Sequence, residues 1–176
     1  MEENKLGIVI LGDEGVGKTC LISRFTLGCM GSGNPTNGVS CISKDINVNG
    51  INYLCEFWDV SGNKKYEALS KFYLRDSTNI IILVYDITKK ISFIRLEKWL
   101  DKILEQLGDE AYLILVANKI DLYEDEEINE QTGRKFAEII KAKFVVASSI
   151  EGHYNNWNSF LENEIKNYIK ERVLNY

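Results

Sequence analysis

The stretch Gly12-Asp13-Glu14-Gly15-Val16-Gly17-Lys18-Thr19 directly follows the apolar run Leu6 to Leu11 and fits the pattern G-x-x-x-x-G-K-[ST]. Each fixed position in that pattern has a physical job. The glycines let the backbone fold tightly around a polyphosphate, so that several N–H groups and a helix N-terminus point at the anion. An ammonium at Lys18 neutralises the β- and γ-phosphates, and a hydroxyl at Thr19 ligates Mg²⁺. Glu14, Gly15, Val16, Gly17 and Cys20 complete the phosphate-facing set. An ordinary glycine-rich turn would share the glycines, but here a strand at 5–11 precedes the loop and a helix at 17–27 follows it. That context makes the loop a site for a nucleoside triphosphate.

Around this loop, the chain of 176 residues has the length of one compact domain, 1–176, with a full hydrophobic core. It is 45% hydrophobic and 27% charged, with net charge −5 and a pI near 5.1. That balance excludes nucleic-acid binding through a general basic face. No apolar run approaches the ~18 residues of a membrane span, and the start Met1-Glu2-Glu3-Asn4-Lys5 lacks the pattern of a signal peptide. Cys20, Cys29, Cys41 and Cys55 have no C-x-x-C spacing and read as reduced structural thiols of a cytoplasmic protein. His153 is the only histidine, which argues against a histidine-based catalytic or metal cluster.

Strand and helix patterns alternate along the chain, which predicts a parallel sheet with helices on both faces. Residues 41–48 and 51–59 are joined by Asn49-Gly50, a two-residue hairpin signal. Residues 80–85, 111–117 and 143–147 are apolar runs of parallel-strand type. The segment 30–37 is a loop rich in breakers and carries the only proline, Pro35. Phe93, Leu96, Leu100, Ile103, Leu104 and Leu107 form one helical stripe around Trp99, and Leu161, Ile165, Tyr168 and Ile169 form another; both read as core. Lys89-Lys90 and Asp125-Glu126-Glu127 read as solvated loop charges.

Three further constellations narrow the chemistry. Asp59 ends a strand and is followed by Gly62; in this context the carboxylate holds Mg²⁺ through its water, and the glycine N–H reaches the γ-phosphate. Thr36 is the only threonine in the loop before the second strand and offers a second hydroxyl to Mg²⁺. Asn118-Lys119-Ile120-Asp121 follows the strand at 111–117. A carboxylate there accepts both N–H donors on the Watson–Crick edge of guanine, whereas adenine leaves it partly unpaired in a desolvated site. The nucleotide is therefore GTP, and a P-loop kinase or ATPase is disfavoured. After the strand at 143–147, Ser148 and Ser149 place backbone N–H groups near the guanine carbonyl, although a plain strand-to-loop junction would look the same.

Taken together, these motifs resemble the Ras-superfamily small GTPases, and specifically the Rab branch. The resemblance covers residues 5–172 and rests on the loop at 12–19 with Cys20 to Phe25, Thr36-Asn37-Gly38-Val39, Trp58-Asp59-Val60-Ser61-Gly62, Val84-Tyr85-Asp86-Ile87-Thr88, Ser92-Phe93 and Asn118-Lys119-Ile120-Asp121. It implies an α/β P-loop fold: a six-stranded, mostly parallel sheet with one antiparallel edge strand and five helices on both faces. It also implies GTP/GDP cycling with Mg²⁺, catalysis involving Lys18, Thr36 and a residue at position 63, and a role in vesicle traffic. Two switch regions, 29–40 and 60–76, would order around the γ-phosphate and meet effectors, an exchange factor and an activating protein. Trp58 and Tyr73 match two effector-facing aromatics.

The departures from the family carry their own expectations. The family sequence D-T-A-G-Q-E appears here as Asp59-Val60-Ser61-Gly62-Asn63-Lys64, so Asn63 replaces the glutamine that orients the attacking water and is one methylene shorter. Positioning is most of phosphoryl-transfer catalysis, so hydrolysis should slow by ~10-fold or more. Glu14 stands where relatives carry a small residue, near the γ-phosphate, and would crowd an incoming arginine finger. A nucleotide-dependent binding module with little hydrolysis is the alternative reading. Neither Cys29 nor Met30 supplies the aromatic that flanks guanine in the family, and Ile150 replaces a base-packing lysine. Both changes predict faster nucleotide release. Cys41 stands where relatives carry an effector-facing phenylalanine. The sequence ends Arg172-Val173-Leu174-Asn175-Tyr176 with no cysteine to prenylate, so membrane association, on the cytosolic face of an organelle, would need a lipidated tail outside this sequence.

Overall fold

The computed structural model describes residues 4–31, 36–74, 77–108, 111–150 and 155–174. Gly33, Pro35, Asp76, His153 and the two chain termini lie outside the described residues.

The strands and helices follow from local patterns. β1 (Lys5–Leu11) is buried on both faces from Ile8 to Leu11, as a parallel strand covered on both sides must be. It leads into α1 (Lys18–Leu27), which ends at Gly28 in the left-handed conformation. β2 (Val39–Val48) and β3 (Ile51–Val60) form an antiparallel hairpin with Val48 opposite Ile51. Asn49 (φ 53°) and Gly50 (φ 85°) give the turn both positive φ values that a type I′ loop needs. A 3₁₀ turn (Lys64–Leu69) continues into α2 (Ser70–Tyr73). β4 (Thr78–Asp86), α3 (Lys90–Ile94), α4 (Leu96–Leu107) and β5 (Tyr112–Asn118) come next. A 3₁₀ turn (Ile120–Asp125), α5 (Glu130–Ile139), β6 (Lys143–Ala147), α6 (Asn155–Tyr168) and a final π-helical turn (Ile169–Val173) complete the order. Asn129 caps α5, its Oδ1 accepting the Thr132 N–H at 2.9 Å.

The strands lie in the order β2-β3-β1-β4-β5-β6, and only the β2–β3 pair is antiparallel. α3 and α4 are one limb broken at Arg95, so five helical limbs surround the sheet among the described residues. Leu6, Ile8 and Ile10 point into one core with Leu21 and Phe25 of α1 and Trp157, Leu161 and Ile165 of α6. Val9, Leu11, Ile81 and Leu83 point into the other, against Leu96, Trp99 and Ile103 of α4 and Ala137 of α5. The chain direction reverses about β1, and the loops after β1, β3, β5 and β6 all leave from the carboxyl ends of parallel strands. In open α/β sheets that edge is where ligands bind. Among the described residues, no helix is long and apolar enough to cross a membrane.

Three sequence expectations need correction. Leu104 is 53% exposed; α4 buries Leu96, Trp99 and Ile103 instead. Leu104 lies about 100° round α4 from Ile103, off the stripe that Leu96, Leu100, Ile103 and Leu107 pack into the second core. Glu127 is not merely a solvated charge, because its carboxylate accepts the Lys90 N–H at 2.6 Å and so caps α3 from across the loop. All four cysteines are free, but only Cys55 is a core residue; Cys29 and Cys41 are exposed and Cys20 is half-buried.

Trp157 joins the two helices of the first core. It is fully buried, and its indole N–H donates to Leu21 O at 3.0 Å. Replacing it by alanine should cost about 3–5 kcal/mol, read as a lower urea midpoint; an unchanged midpoint would contradict this packing.

Candidate functional site

The loop between β1 and α1 is held by its own lysine and by the end of β5. Lys18 is only 6% exposed, and its ammonium donates to Gly12 O at 2.9 Å and Asp13 O at 2.8 Å. Burial pushes its pKa down to about 8, against the opposing pull of Asp59, Asp13 and Glu14. Gly17 adopts φ 97°, and a Cβ there would stand 2.3 Å from Asn118 Nδ2. That amide in turn donates to Val16 O at 2.7 Å. Among the described residues no side chain caps α1, and its first turn carries no acidic residue. The first-turn N–H groups therefore border a cleft of about 370 Å³ without a protein acceptor.

The residues expected at this cleft do converge. Glu14, Gly15, Gly17, Lys18, Thr19, Cys20, Thr36, Gly62, Asn118, Lys119, Asp121, Ser149 and Ile150 all line it. Val16 is fully buried beneath the loop, and Ser148 is buried behind Asp121. Ser61 and Leu122 also line the cleft and were not anticipated.

At one end, three side chains from different elements meet. The Thr19 hydroxyl donates to Asp59 Oδ2 at 2.5 Å and lies 2.9 Å from the Thr36 hydroxyl, which is 3.2 Å from the same carboxylate oxygen. Burial pushes the Asp59 carboxyl up, while the hydrogen bond from Thr19, the Lys18 charge and the hydrogen bond from Thr36 oppose that shift. Asp59 Oδ1 and Asn118 Oδ1 are buried without a hydrogen-bond partner among the described residues. The Asp59 carboxylate, with its Oδ1 unpartnered, and the two hydroxyls are hard donors that fit Mg²⁺.

At the other end, Asp121 is oriented by a residue whose side chain had no assigned part. The Ser148 hydroxyl donates to Asp121 Oδ1 at 2.5 Å and accepts the Ile150 N–H at 3.0 Å. Ser149 O accepts from Arg24 Nε at 3.0 Å, tying this loop to α1. Lys119 sits in the left-handed region (φ 69°), a strained conformation for lysine, and its ammonium pairs with Asp86 Oδ2 at 2.7 Å. Ile150 is 41% exposed and Leu122 42%, so both offer open apolar area beside Asp121.

Between the two ends, Gly62 packs directly on the loop: a Cβ there would be 2.2 Å from the Asp13 carbonyl carbon and 2.3 Å from Glu14 N. Asn63 donates its Nδ2 to Glu14 Oε2 at 3.1 Å. On the hairpin, Cys41 pairs across the ladder with Trp58, whose ring centroid lies 5.4 Å from that of Tyr73. Trp58 and Tyr73 border a groove of about 410 Å³ with exposed Phe72.

A family model described as the Ras family matches residues 7–168. The chain belongs to the Ras family. Among Rab relatives, it is 37% identical to human Ras-related protein Rab-30 over 145 residues, covering 82% of this chain and 71% of that protein. It is 36% identical to human Rab-12 over 159 residues, 90% of this chain and 65% of the relative. It is 33% identical to mouse Rab-26 over 147 residues, 82% of this chain and 56% of the relative. It is thus a Rab-like small GTPase by family, and members of that family bind GTP and GDP.

The Asp86–Lys119 pair yields a pH prediction. Burial works against ionising Asp86, but hydrogen bonds from Lys119 and Thr88 outweigh it and hold the carboxyl below its ordinary value of 3.8. A folded-state value below the unfolded one adds stability above about pH 3.8, and that stability is lost as pH falls through the lower folded value. Asp86→Asn should therefore destabilise the protein by about 2 kcal/mol at pH 7, with the gap closing under acid; a gap unchanged down to pH 2 would contradict the pairing.

Proposed function

We propose that residues 1–176 form a single G domain, a guanine-nucleotide switch of Rab type that acts in vesicle traffic through nucleotide-dependent partner binding and hydrolyses GTP slowly. The observation that carries the reading is the convergence of the Lys18 loop, the Thr19–Thr36–Asp59 cluster and Asp121 on one cleft. In this reading the N–H groups of residues 14–20 and Gly62 hold the phosphates. Lys18 supplies charge, and Thr19, Thr36 and Asp59 (the last through water) hold Mg²⁺, which would neutralise developing phosphate charge. Asp121 reads guanine, Asn118 and Lys119 brace its loop and border the base, and Ser148, Ser149 and Ile150 close the base site. The regions 29–40 and 60–76, with Trp58, Tyr73 and Cys41, meet effectors, an exchange factor and an activating protein. Any membrane association would act from the cytoplasmic side through a lipidated tail.

Slow hydrolysis is supported by what Asn63 does. Its shorter amide is engaged with Glu14 instead of free above the cleft. The same observation favours the second reading, a GTP-dependent binding module that scarcely turns over. Single-turnover hydrolysis by the GTP-loaded chain should run ~10-fold or more below that of the Rab-30 relative measured alongside. Asn63→Gln and Glu14→Ser should each raise it. An ordinary rate, with no gain in either variant, would overturn slow hydrolysis. Turnover beyond detection even in both variants would select the binding module.

The base end supports fast release. Cys29 is exposed, Met30 is 45% exposed, and neither lines the cleft. Labelled GDP should leave faster than from Rab-30; slower release would count against it.

A further inference from the structure

Both ends of the Asn63 amide are engaged by the protein itself. Oδ1 accepts the Lys65 N–H at 3.0 Å, while Nδ2 donates to Glu14 Oε2 at 3.1 Å. The backbone around it is equally tied: Asn63 N–H donates to Ser61 Oγ at 3.3 Å, and Asn63 O accepts the Tyr66 N–H at 2.9 Å. Asn63 is thus the cap of the 3₁₀ turn Lys64–Leu69. An asparagine reaches its own backbone two residues on, and a glutamine, one methylene longer, does so poorly. The substitution that shortens the side chain therefore also suits it to capping. Glu14 accepts one of the two Nδ2 N–H bonds on a carboxylate, which makes that bond charge-assisted. Gly62, pressed on the backbone of Asp13 and Glu14, leaves no slack between the two segments.

We propose that Glu14 and Asn63 form a latch that fixes the start of the second switch to the phosphate-facing loop whether GDP or GTP is bound. The proposal rests on the reading of this cleft as a guanine-nucleotide site. In a switch ordered by the γ-phosphate, loss of that phosphate releases the segment. Here the acceptor is a side chain of the loop and remains after hydrolysis. Glu14 is then a positioning residue: it acts through Asn63, holding the amide as a cap instead of as an orienter of water. The start of the second switch, 61–66, carries little nucleotide-dependent change, and partners that tell the two states apart must read them elsewhere, with 36–40 the described part of the first switch.

Amide hydrogen exchange on the GDP-loaded chain tests this without any hydrolysis. Glu14→Ser should speed exchange at the Lys65 and Tyr66 amides by about fivefold, the effect of losing one hydrogen bond. Glu14→Gln keeps an acceptor and should stay within about twofold of the parent. Asn63→Ala removes cap and latch together, so adding Glu14→Ser to it should produce no further increase. Parent-like exchange in Glu14→Ser, or single effects that multiply in the double variant, would overturn the latch. If Glu14→Ser does not fold, Glu14→Gln that exchanges as fast as Asn63→Ala would overturn it equally. Failure of the chain to hold GDP would overturn the nucleotide reading alone, because the same comparison on the nucleotide-free chain still tests the latch.

Discussion

The site is organised by an ammonium group buried inside its own loop. Lys18 donates to the carbonyls of Gly12 and Asp13, which closes the backbone between β1 and α1 on itself. Burial lowers its pKa to about 8, so the desolvated charge has a strong demand for anionic partners. Nearby carboxylates meet that demand only in part, and the uncapped first turn of α1 adds N–H groups that also lack acceptors. A polyphosphate satisfies both at once. The rest of the molecule serves to hold this loop still: Asn118 grips Val16 from β5, Gly62 presses on it from the segment after β3, and Asp13 pairs with Arg95 at 2.8 Å where α3 meets α4.

The two-faced sheet explains why these grips coincide. β1, β3, β4 and β5 run parallel in adjacent positions, so their carboxyl ends deliver Gly12, Asp59, Asp86 and Asn118 to one edge. The register pairs Asp86 with Asn118 directly, which puts the Asp86 carboxylate within reach of Lys119. Two apolar cores fix that register from either side, because a slip of one residue would turn every buried side chain to the wrong face. Packing far from the cleft, such as Trp157 against α1, is therefore upstream of its chemistry.

Much of this was legible in the sequence because it depends on local spacing. The glycine-rich loop, the Asn49-Gly50 hairpin and the strand-end motifs at Asp59 and Asp121 each bring their own geometry within a few residues. What escaped depends on contacts between distant segments. The Asn63–Glu14 bond spans 49 positions, and nothing in either neighbourhood announces it. The Ser148 hydroxyl reaches Asp121 across 27 positions, where only a backbone role had been expected for that serine. The misassigned Leu104 has a different cause: it adjoins Ile103 at the edge of the apolar face, and a periodicity count does not fix where that face ends. Leu122 and Ser61 gave no signal beyond standing next to recognised motif residues.

Competitive calorimetric titration of the nucleotide-free chain with GTP and with ATP in the presence of Mg²⁺ measures whether the cleft is built for guanine on a magnesium-bound triphosphate. GTP should bind at least about a hundredfold tighter than ATP, because adenine leaves the Asp121 carboxylate with an unmet acceptor in a desolvated site. Affinities for the two nucleotides within about twofold of each other, or no binding of either, would contradict it.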